Sequence, residues 1–307
     1  MKHFLTINQL SHSEIMHLLE RATHFKSMQQ YPCFSNVTMA NLFYEPSTRT
    51  RISFEMAAKN LGIRVVNIDI AHSSVTKGEM IEDMLQNLYA MGIQIFVLRH
   101  SQNGLPQALV EACAADVHLL NAGDGTHEHP SQALLDLLTI VQHKPDLSRL
   151  KIAIVGDILH SRVSNSLQAL FGIVGVGELI LVAPEIWHPK TKPAHVKITT
   201  SLQEGLRDAD VVITLRVQKE RLQASETLNL HNYHAAYAIT QTSLAWAKPD
   251  AMVMHPGPIN RGVEIDNDVA DGKQSYILAQ VKNGVFMRMA MLESLAKHLS
   301  NVVESNV

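Results

Sequence analysis

Between residues 43 and 51 the chain runs Phe43-Tyr44-Glu45-Pro46-Ser47-Thr48-Arg49-Thr50-Arg51, a stretch rich in hydroxyl and guanidinium groups. Such a set is suited to holding an anion. An apolar run over 39–43 precedes it, and Phe54, Ala57, Ala58 and Leu61 follow at i, i+3, i+4 and i+7, one face of a helix. Ser47 therefore stands where a helix N-cap belongs. The first N–H groups of a helix have no internal partner and carry the positive end of its dipole, so they can bond a phosphate placed there. Thr48 and Thr50 add hydroxyls, and Arg49 adds a planar fork that can grip a phosphate through two parallel bonds. Ser-Thr caps followed by arginines also occur on helices that bind nothing, so this stretch alone leaves both readings open.

The same kind of chemistry recurs at intervals. Apolar runs end in, or lead into, Ser73 to Lys77, Arg99-His100, the stretch Gly123 to Gln132, Arg162, Arg216-Val217-Gln218 and His255-Pro256-Gly257-Pro258. Taken singly, Arg99 could be a surface charge, His129 a helix-cap histidine, Gly123-Asp124-Gly125 a plain turn and Lys77 an exposed residue before a helix. In open parallel sheets, however, ligands bind beyond the carboxyl ends of the strands. Cationic groups at successive strand ends, in a chain of formal net charge −3, point to one or two strongly anionic ligands held between two α/β domains.

The elements that must carry these residues follow from periodicity. A helix is expected over 11–25, capped by Ser11 or Ser13, with Ile15, Leu18, Leu19 and Ala22 buried. Strands are expected over 39–43, 65–70, 93–98 and 117–120. Between them lie a polar loop over 71–79, a helix through Ile81, Met84, Leu85, Leu88 and Met91 ended by Gly92, and a helix over 105–115. A further helix starts at Ser131, and a proline-containing connector over 145–149 separates two domains. The alternation restarts with strands over 152–155, 179–182, 211–215 and 251–254, a surface loop over 184–200, and two closing helices over 276–282 and 285–299. The fold class is thus α/β: two doubly wound parallel-sheet domains joined by interdomain helices, with the active site in the cleft between them. The domains are expected at 1–145, with the helix 285–307 packing back on the first, and at 146–284.

A chain of 307 residues with 46% hydrophobic content can bury two cores. Cys33 and Cys113 are too few for a disulfide framework, no stretch resembles a signal peptide or membrane span, and a cytoplasmic location is expected. The mixed charge argues against nucleic acid as a partner. Seventeen histidines raise the question of a metal, and His127-Glu128-His129 is the tightest group, but no cysteine pair or His-Glu-x-x-His helix accompanies it. Ile154-Val155-Gly156-Asp157 lacks the Gly-x-Gly-x-x-Gly spacing, which disfavours a nicotinamide. No cofactor and no metal are expected.

Taken in order, Phe43 to Thr50, Arg99-His100 and His129-Pro130-Ser131-Gln132 resemble the motifs of the aspartate and ornithine carbamoyltransferase family, over essentially the whole chain. Ser73-x-x-x-Lys77-Gly78-Glu79 and Arg216-Val217-Gln218 resemble its aspartate branch; the ornithine branch carries His-Cys-Leu-Pro where this chain has His255-Pro256-Gly257-Pro258. Independently, an acceptor with two carboxylates needs cations where one with an extra ammonium needs acceptors, and Arg162 and Arg216 are cations. The resemblance implies that Ser47, Thr48, Arg49 and Thr50 hold the phosphate of carbamoyl phosphate. It places Thr50, Arg99 and His129 around the carbonyl oxygen, Gln132 and the backbone of Pro256, Gly257 and Pro258 at the amide, and Arg162, Arg216 and Gln218 on L-aspartate. Ser73 and Lys77 resemble the loop that reaches a neighbouring subunit's site, which implies a homotrimer with shared sites. Arg49, Thr50, Lys77, Arg99 and His129 are then the catalytic set. The implied product is N-carbamoyl-L-aspartate, an early intermediate of pyrimidine biosynthesis. A regulatory chain and a dihydroorotase stay open as partners, as do another amino acceptor and a non-catalytic scaffolding role. Glu45 is expected to orient Arg162 and Arg221. Glycine stands at position 257, where some other members of the family carry leucine between the prolines.

Overall fold

The computed structural model describes residues 2–113, 117–218 and 230–305. Arg221 and its neighbours therefore lie outside the described residues. The chain forms two compact units, Met1–Leu134 with Lys282–Val307, and Leu135–Val281.

In the first unit β1 (Thr38–Phe43), β2 (Arg64–Ile68), β3 (Ile95–His100) and β4 (His118–Asp124) form a fully parallel sheet of order β2-β1-β3-β4. The helices α1 (His12–Ser27), α2 (Thr48–Asn60), α3 (Ile81–Ala90) and α4 (Leu105–Ala112) alternate with the strands. Ser11 caps α1 by accepting from the Glu14 N–H, and the Glu14 side chain reaches back to the Ser11 N–H, which fixes where that helix starts. Leu42, Phe96, Leu98 and Leu119 pack with Met84, Leu85, Leu105 and Leu109 in one buried cluster. The α2 face formed by Phe54, Ala57 and Ala58 is buried as the spacing predicts.

The second unit repeats the scheme with β5 (Lys151–Val155), β6 (Glu178–Val182), β7 (Val196–Thr199), β8 (Val211–Thr214) and β9 (Met252–Met254) in the parallel order β7-β6-β5-β8-β9. Its described helices include α6 (Arg162–Val174), α7 (Leu202–Leu206), α8 (Leu230–Tyr237), α9 (Gln241–Leu244) and α10 (Asn267–Ala270). Ala153, Val155, Ile180, Val182, Val212 and Val253 pack with Leu206, Leu244 and Val269. Two helices, α5 (Pro130–Val141) and α11 (Ile277–Ser305), begin in one unit and end in the other.

Several expectations are corrected. Residues 121–124 extend β4 instead of turning, because Asn121 pairs with Leu98 of β3 on one side and on the other is held by the N-terminal segment: its N–H bonds the Phe4 carbonyl at 2.9 Å and its side-chain amide bonds the Leu5 carbonyl at 2.9 Å. The stretch 184–200 is no simple surface loop; it contains β7, and Trp187 within it is fully buried against Tyr233, ring centroids 5.5 Å apart. The closing helices are one, α11, which runs through Gly284. A glycine there costs only about 1 kcal/mol against alanine, and the buried Arg288 donates to the Gly284 carbonyl at 3.1 Å. Met91 is 77% exposed, since α3 has already ended and Gly92 turns the chain away with φ +92°.

Candidate active site

Strand order decides where a ligand can sit in each unit. In the first sheet the chain goes from β1 to β2 on one side and then returns past β1 to β3 on the other, so the crevice at the carboxyl ends opens between β1 and β3. The loop after β1 leads directly into α2. Ser47 occupies its N-cap position with extended backbone, and its side chain makes no capping hydrogen bond, so the first-turn N–H groups of α2 are not closed off by it. Thr48 and Arg49 are exposed on the first turn and Thr50 is buried. Across the crevice Arg99 is the penultimate residue of β3, and the Tyr44 N–H bonds the Arg99 carbonyl at 2.9 Å. The Arg99 side chain pairs with Glu45 at 3.2 Å and donates to the Ala122 carbonyl at 3.4 Å. Glu45 thus holds a guanidinium of its own sheet. Burial, with Glu79 and Glu82 nearby, pushes the Tyr44 phenol up to about 12 and keeps it neutral.

His129 is buried and immediately precedes α5, whose first residue is Pro130. Its carbonyl accepts from the Gln132 N–H at 3.0 Å, which sets the first turn and the buried Gln132 with it. Ser47 to Thr50, His129 and Gln132 lie just beyond β1 and β4, at the starts of α2 and α5, and Arg99 lies at the carboxyl end of β3. Ser73 and Lys77 follow the edge strand β2 instead, Ser73 between two short 3₁₀ turns and Lys77 at the end of the second. Ser73 donates to the Ile70 carbonyl, Ser74 bonds Glu79, and Lys77 is exposed.

The second sheet reverses direction between β5 and β8. Gly156 directly follows β5 with φ +126°, and a Cβ there would stand 2.9 Å from the Leu215 carbonyl, so the close approach of the two connections requires glycine. Arg162 opens α6 and is buried; Ser161 caps the helix by accepting from the Ser164 N–H at 3.2 Å. Arg216 and Gln218 follow β8. The fully buried Asp157 ties both sides together, accepting from the His160 Nδ1 at 2.7 Å and the Gln218 N–H at 3.2 Å, while the Gln218 side chain donates to the His160 carbonyl at 2.8 Å. Beyond β9, His255 Nδ1 accepts from the Gly257 N–H at 2.7 Å, which places the ring proton on Nε2 facing Glu264 at 3.2 Å. The Asn260 side chain donates to the Val217 carbonyl at 3.2 Å, so the segment after Pro256 is held against the one that carries Arg216. Sequence reading missed Asp157, His160 and Glu264. An Asp placed three residues before a His just ahead of a helix is the one local signal for the first pair.

Two parallel α/β units, each with arginines and a helix N-terminus at its crevice, have the layout of a group transferase that holds two anionic reactants. Family models agree with this: one described as "Aspartate/ornithine carbamoyltransferase, carbamoyl-P binding domain" matches residues 2–142, and one described as "Aspartate/ornithine carbamoyltransferase, Asp/Orn binding domain" matches residues 148–295. The aspartate carbamoyltransferase catalytic subunit of Legionella pneumophila is 59% identical over 295 residues, covering 96% of this chain and 99% of that one. Among solved structures, the aspartate transcarbamoylase of Trypanosoma cruzi in complex with N-(phosphonacetyl)-L-aspartic acid is similar with a TM-score of 0.85 at 29% identity, over 95% of this chain and 94% of that one. The ornithine carbamoyltransferase of Pyrococcus furiosus is similar with a TM-score of 0.84 at 26% identity, over 95% and 96%. The chain belongs to the aspartate/ornithine carbamoyltransferase family. Near-equal likeness to an aspartate and an ornithine enzyme means that the fold does not choose the acceptor; side chains must.

Proposed function

We propose that this carbamoyltransferase takes L-aspartate as its acceptor, giving N-carbamoyl-L-aspartate and phosphate. The observation that carries the choice is the pair Arg162 and Arg216 flanking the β5–β8 crevice, cations suited to the two carboxylates of aspartate and unsuited to the side-chain ammonium of ornithine. The high identity to the Legionella subunit supports the same reading.

Carbamoyl phosphate binds the first unit. Its phosphate sits at the N-terminus of α2, with Ser47, Thr48, Arg49 and Thr50 supplying hydroxyls and a guanidinium fork beside the first-turn N–H groups, a reading that the Ser47 N-cap position supports. Gln132 and the backbone of Pro256, Gly257 and Pro258 take the amide, and Gln218 assists Arg162 and Arg216 with aspartate. The aspartate amino group attacks the carbonyl carbon, negative charge grows on the carbonyl oxygen, and the C–O bond to phosphate then breaks. Thr50, Arg49, Arg99 and His129 donate to that oxygen; removal of one such donor costs about 10²–10³ in kcat. A neutral imidazole already donates one hydrogen bond, so His129 need not be protonated to act. The departing phosphate is a base within reach of the proton the amino group must shed.

Ser73 and Lys77, set on the edge-strand loop, serve the site of a neighbouring copy in a homotrimer. The pathway role is pyrimidine synthesis in the cytoplasm; among the described residues no helix is long and apolar enough to cross a membrane. The test is carbamoyl transfer by the purified chain to a panel of amino acids. Turnover with aspartate alone is expected; turnover with ornithine overturns the acceptor assignment, and silence with every acceptor from folded protein overturns the catalytic one.

A further inference from the structure

Asp124, the last residue of β4, is 1% exposed, yet both its carboxylate oxygens are filled by donors from two different connections. Oδ1 accepts from the Asn121 side chain at 2.8 Å and from the Glu128 N–H at 3.1 Å. Oδ2 accepts from the Gly104 N–H at 2.7 Å and from the His127 Nδ1 at 2.9 Å. Gly104 is the N-cap residue of α4, so the carboxylate also lies at the positive end of that helix.

The web around it joins the connection after β3 to the one after β4. The Gly125 N–H bonds the His100 carbonyl at 2.9 Å, and the Thr126 N–H bonds the Asn103 side chain at 2.9 Å. Gly125 has φ +46°, and a Cβ on it would stand 2.8 Å from the Ser101 carbonyl, so the two connections are in direct contact. The Asp124 N–H bonds the Glu128 carbonyl at 3.1 Å, which closes residues 124–128 into a ring around the carboxylate. Arg99 stands one residue before this web and His129 one residue after it. Both are donors to the carbonyl oxygen in the reading above, on which this inference rests.

We propose that Asp124 is a positioning residue for transition-state stabilisation: its four-donor carboxylate locks residues 100–104 to 124–128 and thereby fixes the spacing of Arg99 and His129. Charge-assisted bonds to a buried carboxylate are short and directional, and four of them allow little play. Asparagine at this position has the same shape but turns an NH2 toward the Gly104 N–H or the Asn121 amide, donor against donor, so the two connections must part.

The test compares Asp124→Asn, His127→Ala and a control, Glu293→Gln. Glu293 is a buried carboxylate in the same unit that accepts both prongs of Arg21 at 2.6 and 2.7 Å, and it plays no part in the site. Misplacing a reacting group by about 1 Å costs about 100-fold. Asp124→Asn is therefore expected to lower kcat/KM for carbamoyl phosphate by about that factor while KM for aspartate stays within about twofold. His127→Ala, which removes one exposed donor of the four, gives a smaller fall with the same pattern. Glu293→Gln lowers Tm and leaves the kinetics alone. A folded Asp124→Asn with unaltered kcat and KM overturns the proposal, and if that variant does not fold, an unaltered His127→Ala overturns it instead. Should the unaltered chain transfer nothing, the reading of the reaction fails first. Calorimetric binding of carbamoyl phosphate to the same proteins then decides: weaker binding by the variants supports the lock, and equal binding, or none by the unaltered chain, overturns it.

Discussion

His127 and Asp124 shift each other's protonation in opposite directions. The bond to Asp124 raises the His127 pKa above its ordinary 6.5, against the opposing effect of burial. Burial works against the charged form of Asp124, yet bonds from His127, Asn121 and Gly104 outweigh it and hold the carboxyl below its ordinary 3.8. A histidine with a raised folded pKa contributes stability that is complete below its unfolded value and is lost as pH rises through the folded one; a depressed carboxyl contributes above its unfolded value and loses its share as pH falls through the folded one. The pair is therefore at full strength between about 4 and 6.5. Melting temperatures of the wild type and His127→Ala should differ most in that window and converge as pH rises through the folded pKa of His127. Curves that stay parallel up to pH 9 would remove the ion pair from the account. At this scale the helix start at Ser47 was legible, because it is set by residues within one turn and needs no distant partner. Asp124 passed for a turn residue because its donors come from position 104 as well as from 121–128.

At the scale of elements, each crevice depends on how closely two strand ends approach. β5 and β8 meet at Gly156, whose positive φ and contact with the Leu215 carbonyl exclude a side chain. Gly156→Ala should cost about 1–3 kcal/mol in strain and contact. Because Asp157 follows directly and holds Gln218, the same change should raise KM for aspartate while leaving carbamoyl phosphate affinity nearly unaltered. Denaturant titration and initial-rate kinetics on the one variant read both effects, and a KM for aspartate equal to that of the wild type would show that the strand contact does not reach the acceptor residues. Helix α11 makes the converse point. Its local sequence suggested a break at Gly284, but Asn283, Arg288 and Glu293 are buried along its length, and packing outweighs the small propensity cost of one glycine.

For the whole molecule the open question is how many copies make a working site. Ser73 and Lys77 follow the edge strand β2, and their assignment to a neighbour's site rests on the resemblance of Ser73 to Glu79 to the loop of the aspartate branch. Arg49→Ala and Lys77→Ala chains should each be nearly inactive. Mixed after dissociation and reassembly, they should regain about a quarter of wild-type activity, the share of sites that receive both intact residues by chance. Recovery absent from mixed oligomers confirmed by sedimentation would return both residues to a single chain's site.

The sequence by itself determined what is local: alternating strands and helices, the Ser11 and Ser47 helix starts, the buried stripes of α1 and α2, and the cationic and hydroxyl side chains gathered near strand ends. These rest on contacts within a few residues, and periodicity and capping record them directly. Only the tertiary structure decided strand order, hence which strand ends border a crevice and that Lys77 follows an edge strand instead. It also decided that Glu45 serves Arg99, that 196–199 is a strand, and that Asp124 and Asp157 each join two connections. Those features depend on backbone donors and acceptors brought together from segments tens of residues apart, and no local pattern of residue types encodes which carboxylate will meet them.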